Sequence, residues 1–255
     1  MKPARTVVAL ALVAALAAAA CGASGSDSPA GDETLTTLSA EERVLRFRTE
    51  LADPDPASLE TTASSLTERL HRAGLPDAEV RVDGTTVVVR LPAGSTPVAR
   101  RLTEEVTRPG VLTFRPVVAE GAGISATDLT PTTSTPALNG TGPDGTPLVL
   151  GPAALEGGIA SATAAADATG WQVVPEFKVD LTPLLDAMGR CVRREPECPT
   201  GKLAVVVDGE VLSVGEVNPM ARRVVIAGSF DEIDAKALAA VLSTGPLPMR
   251  LVREA

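Results

Sequence analysis

The sequence contains few of the side chains on which most enzymes and nucleic-acid-binding proteins depend. Among 255 residues there is one histidine, His71, and the aromatic residues are one tryptophan and four phenylalanines, with no tyrosine. This scarcity disfavours base-stacking platforms and aromatic sugar-binding clefts. No Gly-x-Ser-x-Gly motif of a nucleophilic serine occurs. The acids Asp231, Glu232 and Asp234 fit the first turn of a helix, where the free amides favour negative charge, better than an acid–base pair. We therefore expect no catalytic residues, no cofactor and no metal site.

Long apolar runs are also missing after residue 21. A membrane-spanning helix needs about 20 consecutive apolar residues, and no run in this part of the sequence is that long. Before that point Lys2 and Arg5 precede an apolar stretch, which predicts a signal peptide over residues 1–20. Cys21 follows three alanines and precedes small polar residues, so this junction resembles a bacterial lipobox, although Ala18 stands where leucine is preferred. We expect Cys21 to carry two or three acyl chains that anchor the protein to the lipid bilayer, at the extracytoplasmic face of the cell membrane. Ordinary secretion is the alternative.

The chain carries a net negative charge. It has 23 basic and 32 acidic residues, and loss of Lys2 and Arg5 with the signal peptide takes the net charge from −9 to −11. Such a chain is repelled by nucleic acid and by anionic lipid headgroups. Its apolar content is nevertheless high, and the part beyond residue 38 is long enough to bury a sizeable core in one or two compact units.

Two cysteines remain once Cys21 is assigned to lipid. Cys191 and Cys198 are separated by six residues. An even pair in an exported chain predicts a disulfide, and free thiols are the alternative. The pair alone offers too few ligands for a metal, and it lacks the Cys-x-x-Cys spacing of redox motifs.

Turn and cap residues divide the rest of the chain. Residues 21–38 are rich in Gly, Ser, Asp and Thr, which predicts a flexible tether. The 119–150 stretch is crowded with Pro, Thr and Gly, which predicts a long loop. Ser39 and Glu42 form a capping-box pattern at the start of a predicted helix at 39–52, and Asp55-Pro56 predicts the cap and start of the next helix, which includes 59–71. Periodicity and capping patterns predict these further elements: helices from Thr96 and at 155–166 and 183–189, a hairpin at 80–91 about Asp83-Gly84, and strands at 111–117 and 171–179.

The segment 203–251 has the strongest local signals. An Asp-Gly turn at Asp208 and Gly209 between two apolar runs predicts a β-hairpin. A second strand at 224–227 leads to Ser229 and Glu232, whose spacing predicts a capping box. The helix that follows should end at Gly245, before a last strand at 247–252.

These residues resemble a pattern in the first extracytoplasmic domain of SecD and SecDF, the membrane subunits that assist the Sec translocase, and above all its head subdomain. The motif positions are Asp208, Gly209, Ser213, Gly228, Phe230, Gly245 and Pro248. One departure is Gly215, where the family pattern usually has proline. Weaker similarity extends upstream, so that the resemblance covers residues 55–253.

The resemblance implies an α+β fold, with mixed or antiparallel sheets, helices packed on one face, and a ferredoxin-like base that carries a head subdomain. The expected boundaries are the N-terminal part of the base at 39–118, the head at 151–245, and a C-terminal strand at 246–255 that returns to the base. It also implies a non-catalytic role in which the chain binds or assists exported polypeptides or Sec translocase subunits.

Two other functions stay open. The chain can be a ligand-binding lipoprotein that reuses the fold for a purpose unrelated to export, because fold does not fix function. A concave apolar pocket near Trp171 would favour that function, and Trp171 itself is interpreted either as a core anchor or as an exposed contact residue. An enzyme is the last alternative, which buried, mutually hydrogen-bonded acids outside helix caps would support.

Overall fold

The computed structural model of the protein describes residues 36–124, 138–168, 170–218 and 224–254. The predicted signal peptide, Cys21 and most of the predicted tether lie outside these residues. Within the described ranges, no helix has both the length and the apolar composition needed to cross a membrane.

The base is a β-α-β-β-α-β unit whose last strand comes from the end of the chain. Its elements are β1 (Val44–Thr49), α1 (Pro56–Arg72), β2 (Glu79–Asp83), β3 (Thr86–Arg90), α2 (Pro97–Val106) and, from the C-terminus, β13 (Leu251–Arg253). The strand order β13-β1-β3-β2, with every neighbour antiparallel, is that of a ferredoxin-like sheet. Leu45 and Phe47 of β1 face a core that includes Leu59, Leu66 and Leu70 of α1. The predicted α+β fold with a ferredoxin-like base is confirmed.

We use the term head for the part of the chain between α2 and β13. Its elements are β4 (Leu112–Glu120), β5 (Leu138–Thr141), β6 (Pro147–Leu150), β7 (Leu155–Glu156), β8 (Ile159–Asp167), β9 (Gly170–Phe177), α3 (Thr182–Val192), β10 (Lys202–Val207), β11 (Glu210–Glu216), β12 (Ile226–Phe230) and α4 (Glu232–Thr244). The head is wider than the predicted 151–245 and includes β4, most of which the prediction assigned to the base. One sheet has the order β11-β10-β4-β6-β5, with β7 also paired to β4, and a second has the order β12-β9-β8.

Helix α4 joins the base to the head because its two sides belong to different cores. Ala237, Ala240 and Val241 pack into the core of the base, whereas Leu238 and Leu242 pack into that of the head. The helix is buried on most of its circumference, which explains its alanine-rich sequence: small side chains allow close approach on both sides. The base and the head are therefore parts of one compact unit.

Two predicted helices are strands in the structure. Residues 39–52 contain β1, in which Leu45, Phe47 and Thr49 are buried and Arg46 and Arg48 are exposed. The predicted Ser39–Glu42 capping pair does form, with the Ser39 amide 2.8 Å from the Glu42 carboxylate, but it closes only a turn before the strand. The period-two burial pattern was the correct signal in this segment.

The alanine-rich residues 155–166 form β7 and β8 rather than a helix. Strand β8 pairs with β9 along its length, from Ile159 opposite Phe177 to Asp167 opposite Gly170. Alanine favours helix by about 0.7 kcal/mol or less per residue over other ordinary residues, so a ladder of this length overrides the local preference.

Two boundaries also differ from the prediction. The predicted loop at 119–150 contains the hairpin of β5 and β6, which extends the sheet beyond β4. The last strand is shorter than predicted, since only Leu251–Arg253 pairs with β1.

Candidate functional site

A buried arginine, Arg69, holds the junction between the base and the head. It lies on the inner face of α1, between Leu66 and Leu70, and its side chain is fully buried. Its guanidinium donates to one hydroxyl and four backbone carbonyls: Thr244 Oγ1 (3.0 Å), and the oxygens of Val106 (2.8 Å), Arg108, Pro109 (2.9 Å) and Gly245 (2.6 Å). One side chain thus ties α1 to the end of α2 and to the end of α4.

The positive charge of the Arg69 guanidinium is buried away from water. Desolvation lowers the pKa of Arg69 to about 10, and the nearby negative charge of Asp208 acts in the opposite direction. The guanidinium therefore remains charged at neutral pH. Its planar array of five N–H donors explains why arginine is found where several carbonyls converge.

Asp208 does more than form the predicted turn. Its backbone has φ of 55°, and Gly209 beside it has φ of 85°, as expected of an Asp-Gly hairpin tip. Its carboxylate accepts hydrogen bonds from the amides of Gly110 (2.8 and 3.0 Å) and Val111 (2.8 Å). The tip of the β10–β11 hairpin is thereby fixed to the segment that leaves α2. Gly110 has φ of 92°, and a Cβ there would lie 2.9 Å from Arg69 Nη2, so only glycine fits.

An open cleft lies beside this junction, between α2, the β10–β11 hairpin, β12 and α4. Its volume is about 440 Å³, within the range of pockets that bind small molecules. The floor is apolar and the rim is mostly acidic. Floor residues are Val207, Leu212, Phe230, Ala237, Leu238 and Val241, and the charged rim residues are Glu104, Glu105, Arg108, Glu210 and Asp234.

Ion pairs connect the two sides of the cleft. Arg108, just after α2, contacts Glu105 at 3.9 Å on its own side and also pairs with Glu210 on the hairpin. At the other end, Arg101 of α2 donates to Asp231 (2.6 Å) and Asp234 (2.7 Å) of α4. All these side chains are partly exposed, so each pair stabilises the protein by about 1 kcal/mol or less.

The capping box of α4 begins two residues later than predicted. Asp231 accepts from the Asp234 amide at 2.9 Å, and Asp234 accepts from the Asp231 amide at 3.2 Å. Partial burial acts to raise the pKa of Asp231, but the bonds from the Asp234 amide and from Arg101 outweigh it, and the pKa lies below its usual value. Ser229, the predicted cap, is exposed and lines a second cavity.

The remaining motif residues occupy four places. Phe230 is half-buried in the floor of the cleft, whereas Ser213 and Gly228 line the second cavity, of about 280 Å³. A Cβ on Gly228 would lie 2.9 Å from the Leu212 carbonyl oxygen, which explains glycine where β12 approaches β11. Gly245 ends α4 with φ of 79°. Pro248 is exposed between two buried residues that anchor the last segment to the base.

The predicted disulfide between Cys191 and Cys198 is present in the structure. It closes the loop after α3, and both cysteines are fully buried. Trp171 is half-buried against the core of the head, and it lines neither of the two cavities described above.

Sequence reasoning missed both Arg69 and the cleft. Arg69 had a usable signal, because it falls on the apolar stripe of α1 that includes Leu66 and Leu70. The cleft had none, since α2 is distant in sequence from the hairpin, β12 and α4 that form its other walls.

Comparison with known proteins connects this architecture to one family. The family model described as SecDF, P1 head subdomain, matches residues 138–249. The match begins at the first residue of β5, so it includes the hairpin that the sequence alone placed in a loop. It ends before β13, the strand that completes the base.

Solved structures of SecDF share the fold. A structure of SecDF in a super-membrane-facing form has a TM-score of 0.53 and 20% identity, over 82% of this chain and 29% of that one. A structure of SecDF, described as a membrane component that enhances protein export, has a TM-score of 0.51 and 22% identity, over 82% of this chain and 97% of that one. The chain thus spans less than a third of the longer SecDF chain. Comparison with curated proteins found no match. The comparisons confirm the predicted resemblance to the first extracytoplasmic domain of SecDF, in sequence for the head subdomain over residues 138–249 and in fold for most of the chain.

Proposed function

We propose that this chain is a non-catalytic, lipid-anchored module at the extracytoplasmic face of the cell membrane, where it binds exported polypeptides in an extended form. The observation that carries the proposal is the match of residues 138–249 to the SecDF P1 head subdomain. In SecDF, a component that enhances protein export, this subdomain is part of a membrane protein. Here we propose that acylation of Cys21 keeps the module near the membrane.

The cleft supports this proposal physically. Its floor offers the partly exposed side chains of Leu212 and Phe230 to an apolar partner, and its rim is polar. A folded protein hides most of its apolar side chains, whereas an unfolded chain presents them along an extended backbone. An open cleft with an apolar floor therefore favours unfolded chains over folded ones. Sec translocase subunits remain the second class of partner that we propose.

Binding can be measured on the full-length chain, purified from membranes in mild detergent. A reduced, unfolded model polypeptide should be retained by the immobilised chain, and its folded, oxidised form should not. Leu212→Ser should weaken retention because it places a hydroxyl in the apolar floor. Glu79→Gln is the matched control, since Glu79 is exposed on the edge strand β2 and lines neither cavity. Equal retention of the folded and unfolded forms would contradict the proposal.

A further inference from the structure

The acidic rim of the cleft gives it a preference that an apolar floor alone would not have. Four of its five charged rim residues are acids, on both sides of the opening. Glu105 and Glu104 lie on α2, Glu210 begins β11, and Asp234 lies in the first turn of α4. Glu104 pairs with Arg100 and Arg253, and Asp234 pairs with Arg101, so cations neutralise these two acids. Glu105 and Glu210 share the single cation of Arg108, which leaves one net negative charge among these three side chains.

Arg108 already places a cation across this opening. Its carbonyl is fixed by Arg69, whereas its side chain is about one-third exposed and extends to Glu210 on the opposite side. The contact of Arg108 with Glu105, at 3.9 Å, is longer than a hydrogen bond. A carboxylate has two oxygens that can accept about four hydrogen bonds, so Glu105 and Glu210 can accept from a second cation.

We propose that the cleft binds a segment of extended polypeptide in which lysine or arginine lies next to apolar residues. The apolar side chains pack against Leu212 and Phe230, and the cationic side chain contacts Glu105 and Glu210, where it competes with Arg108. This inference rests on the proposed function, to which it adds the chemical class of the bound segment. It also assigns a role to Arg108. In the empty cleft the Arg108 guanidinium occupies the place that the ligand's cation takes, and this competition lowers the affinity of the cleft for the peptide.

Two opposite substitutions test this assignment. Glu210→Gln removes one acceptor, so it should weaken binding of a cationic apolar peptide by about two- to fivefold, the effect of a partly exposed charge pair. Arg108→Gln removes the competing cation and should strengthen binding by a similar factor, about two- to fivefold. Both side chains are partly exposed, and neither lies in a core, so the variants should fold.

The probes are three fluorescent peptides of equal length. One is composed of leucine and lysine, one of leucine and glutamate, and one of serine and lysine. Fluorescence anisotropy with the full-length chain in detergent should give the order of affinity leucine–lysine, then leucine–glutamate, with the serine–lysine peptide weakest. In about 1 M salt, where the screening length falls to about 3 Å, the difference between the two leucine peptides should vanish. Glu79→Gln is again the matched control and should change no affinity.

The outcomes separate this inference from the proposed function. Equal binding of the two leucine peptides, or no effect of Glu210→Gln and Arg108→Gln, would overturn the inference alone, provided that Leu212→Ser still weakens both peptides. If Arg108→Gln weakened binding of the leucine–lysine peptide, Arg108 would contact the ligand directly and the competition would be wrong. Failure of every peptide and of the unfolded polypeptide to bind would overturn both.

Discussion

Replacement of Arg69 by methionine removes the side chain that joins α1, the end of α2 and the end of α4, while it keeps an unbranched apolar stem. The Pro109 carbonyl retains the Leu247 amide at 2.9 Å, but the carbonyls of Val106, Arg108 and Gly245 lose the guanidinium donor. A buried acceptor left without a partner costs about 1–3 kcal/mol.

A second effect opposes this loss. Burial lowers the pKa of Arg69 from 12.5 to about 10, which corresponds to about 3 kcal/mol spent on keeping the charge in the interior. Methionine carries no charge, so this cost disappears. Three carbonyls without a donor, at about 2 kcal/mol each, less the gain of about 3 kcal/mol, leave a net loss of about 3 kcal/mol in the free energy of unfolding. This value is close to the lower end for breaking a buried charged network.

Urea unfolding followed by circular dichroism measures this difference directly. Arg69→Lys should be intermediate, because an ammonium keeps the charge but has three donors at one point and cannot reach all the carbonyls. Arg72→Met is the matched control on the same helix: the Arg72 side chain is about half exposed and forms an exposed i,i+4 pair with Glu68, so its effect should stay within about 0.5 kcal/mol. If Arg69→Met lay within 1 kcal/mol of the wild type, Arg69 would not be the structural link described here.

Four further results are expected. Asp208→Ala should lower the free energy of unfolding by about 2 kcal/mol in urea, because it removes the acceptor of the Gly110 and Val111 amides; an unchanged midpoint would contradict this role. Replacement of Cys191 and Cys198 by alanine should cost about 2 kcal/mol, and a reducing agent should have the same effect on the wild type but none on the variant. Because the pKa of Asp231 is lower in the folded state, the stability that its charge provides is present above its unfolded value of 3.8 and is lost as the pH falls through the folded value; Asp231→Asn should therefore lower the melting temperature at neutral pH and flatten the acid limb of melting temperature against pH, so that the two proteins converge at low pH, and an equal melting temperature at neutral pH would contradict this role. Cys21→Ser should move the protein from the membrane fraction to the soluble fraction, since two or three acyl chains provide anchoring of about 0.8 kcal/mol per buried methylene; membrane retention of the variant would mean that another segment anchors it.

Short-range signals accounted for most of the fold that the sequence predicted correctly. The Asp-Gly turns at Asp83 and Asp208 form the tips of two hairpins, and α1 begins at the predicted Asp55-Pro56 cap, where Asp55 accepts from the Ser58 amide. These features depend on a few adjacent residues, so a single sequence contains the information.

The errors arose where distant pairing decides the local structure. Residues 155–166 are small and helix-favouring, and only the ladder with β9 makes β8 a strand. Residues 138–150 have little periodicity of their own, and β5 and β6 form because the edge of β4 is available to them.

The motif residues indicated an architecture rather than a binding site. The sequence predicts Asp208 and Gly209 as turn residues and Gly245 as a helix end, and the structure agrees. The hydrogen bond from the Gly110 amide to Asp208, and that from Arg69 to the Gly245 carbonyl, could not be inferred without the fold. The cleft likewise depends on how α2 of the base and the hairpin of the head are positioned by the shared helix α4.

The most direct test of the proposed export role is site-specific photocrosslinking in living cells during a pulse of protein synthesis. A photoreactive residue at Leu212, in the floor of the cleft, should capture newly exported polypeptides, and the same residue at Glu79 should not. Capture from position 212 should fall when export through the Sec translocase is blocked. Equal capture from both positions, or capture that is independent of export, would contradict the central claim that this cleft binds exported chains.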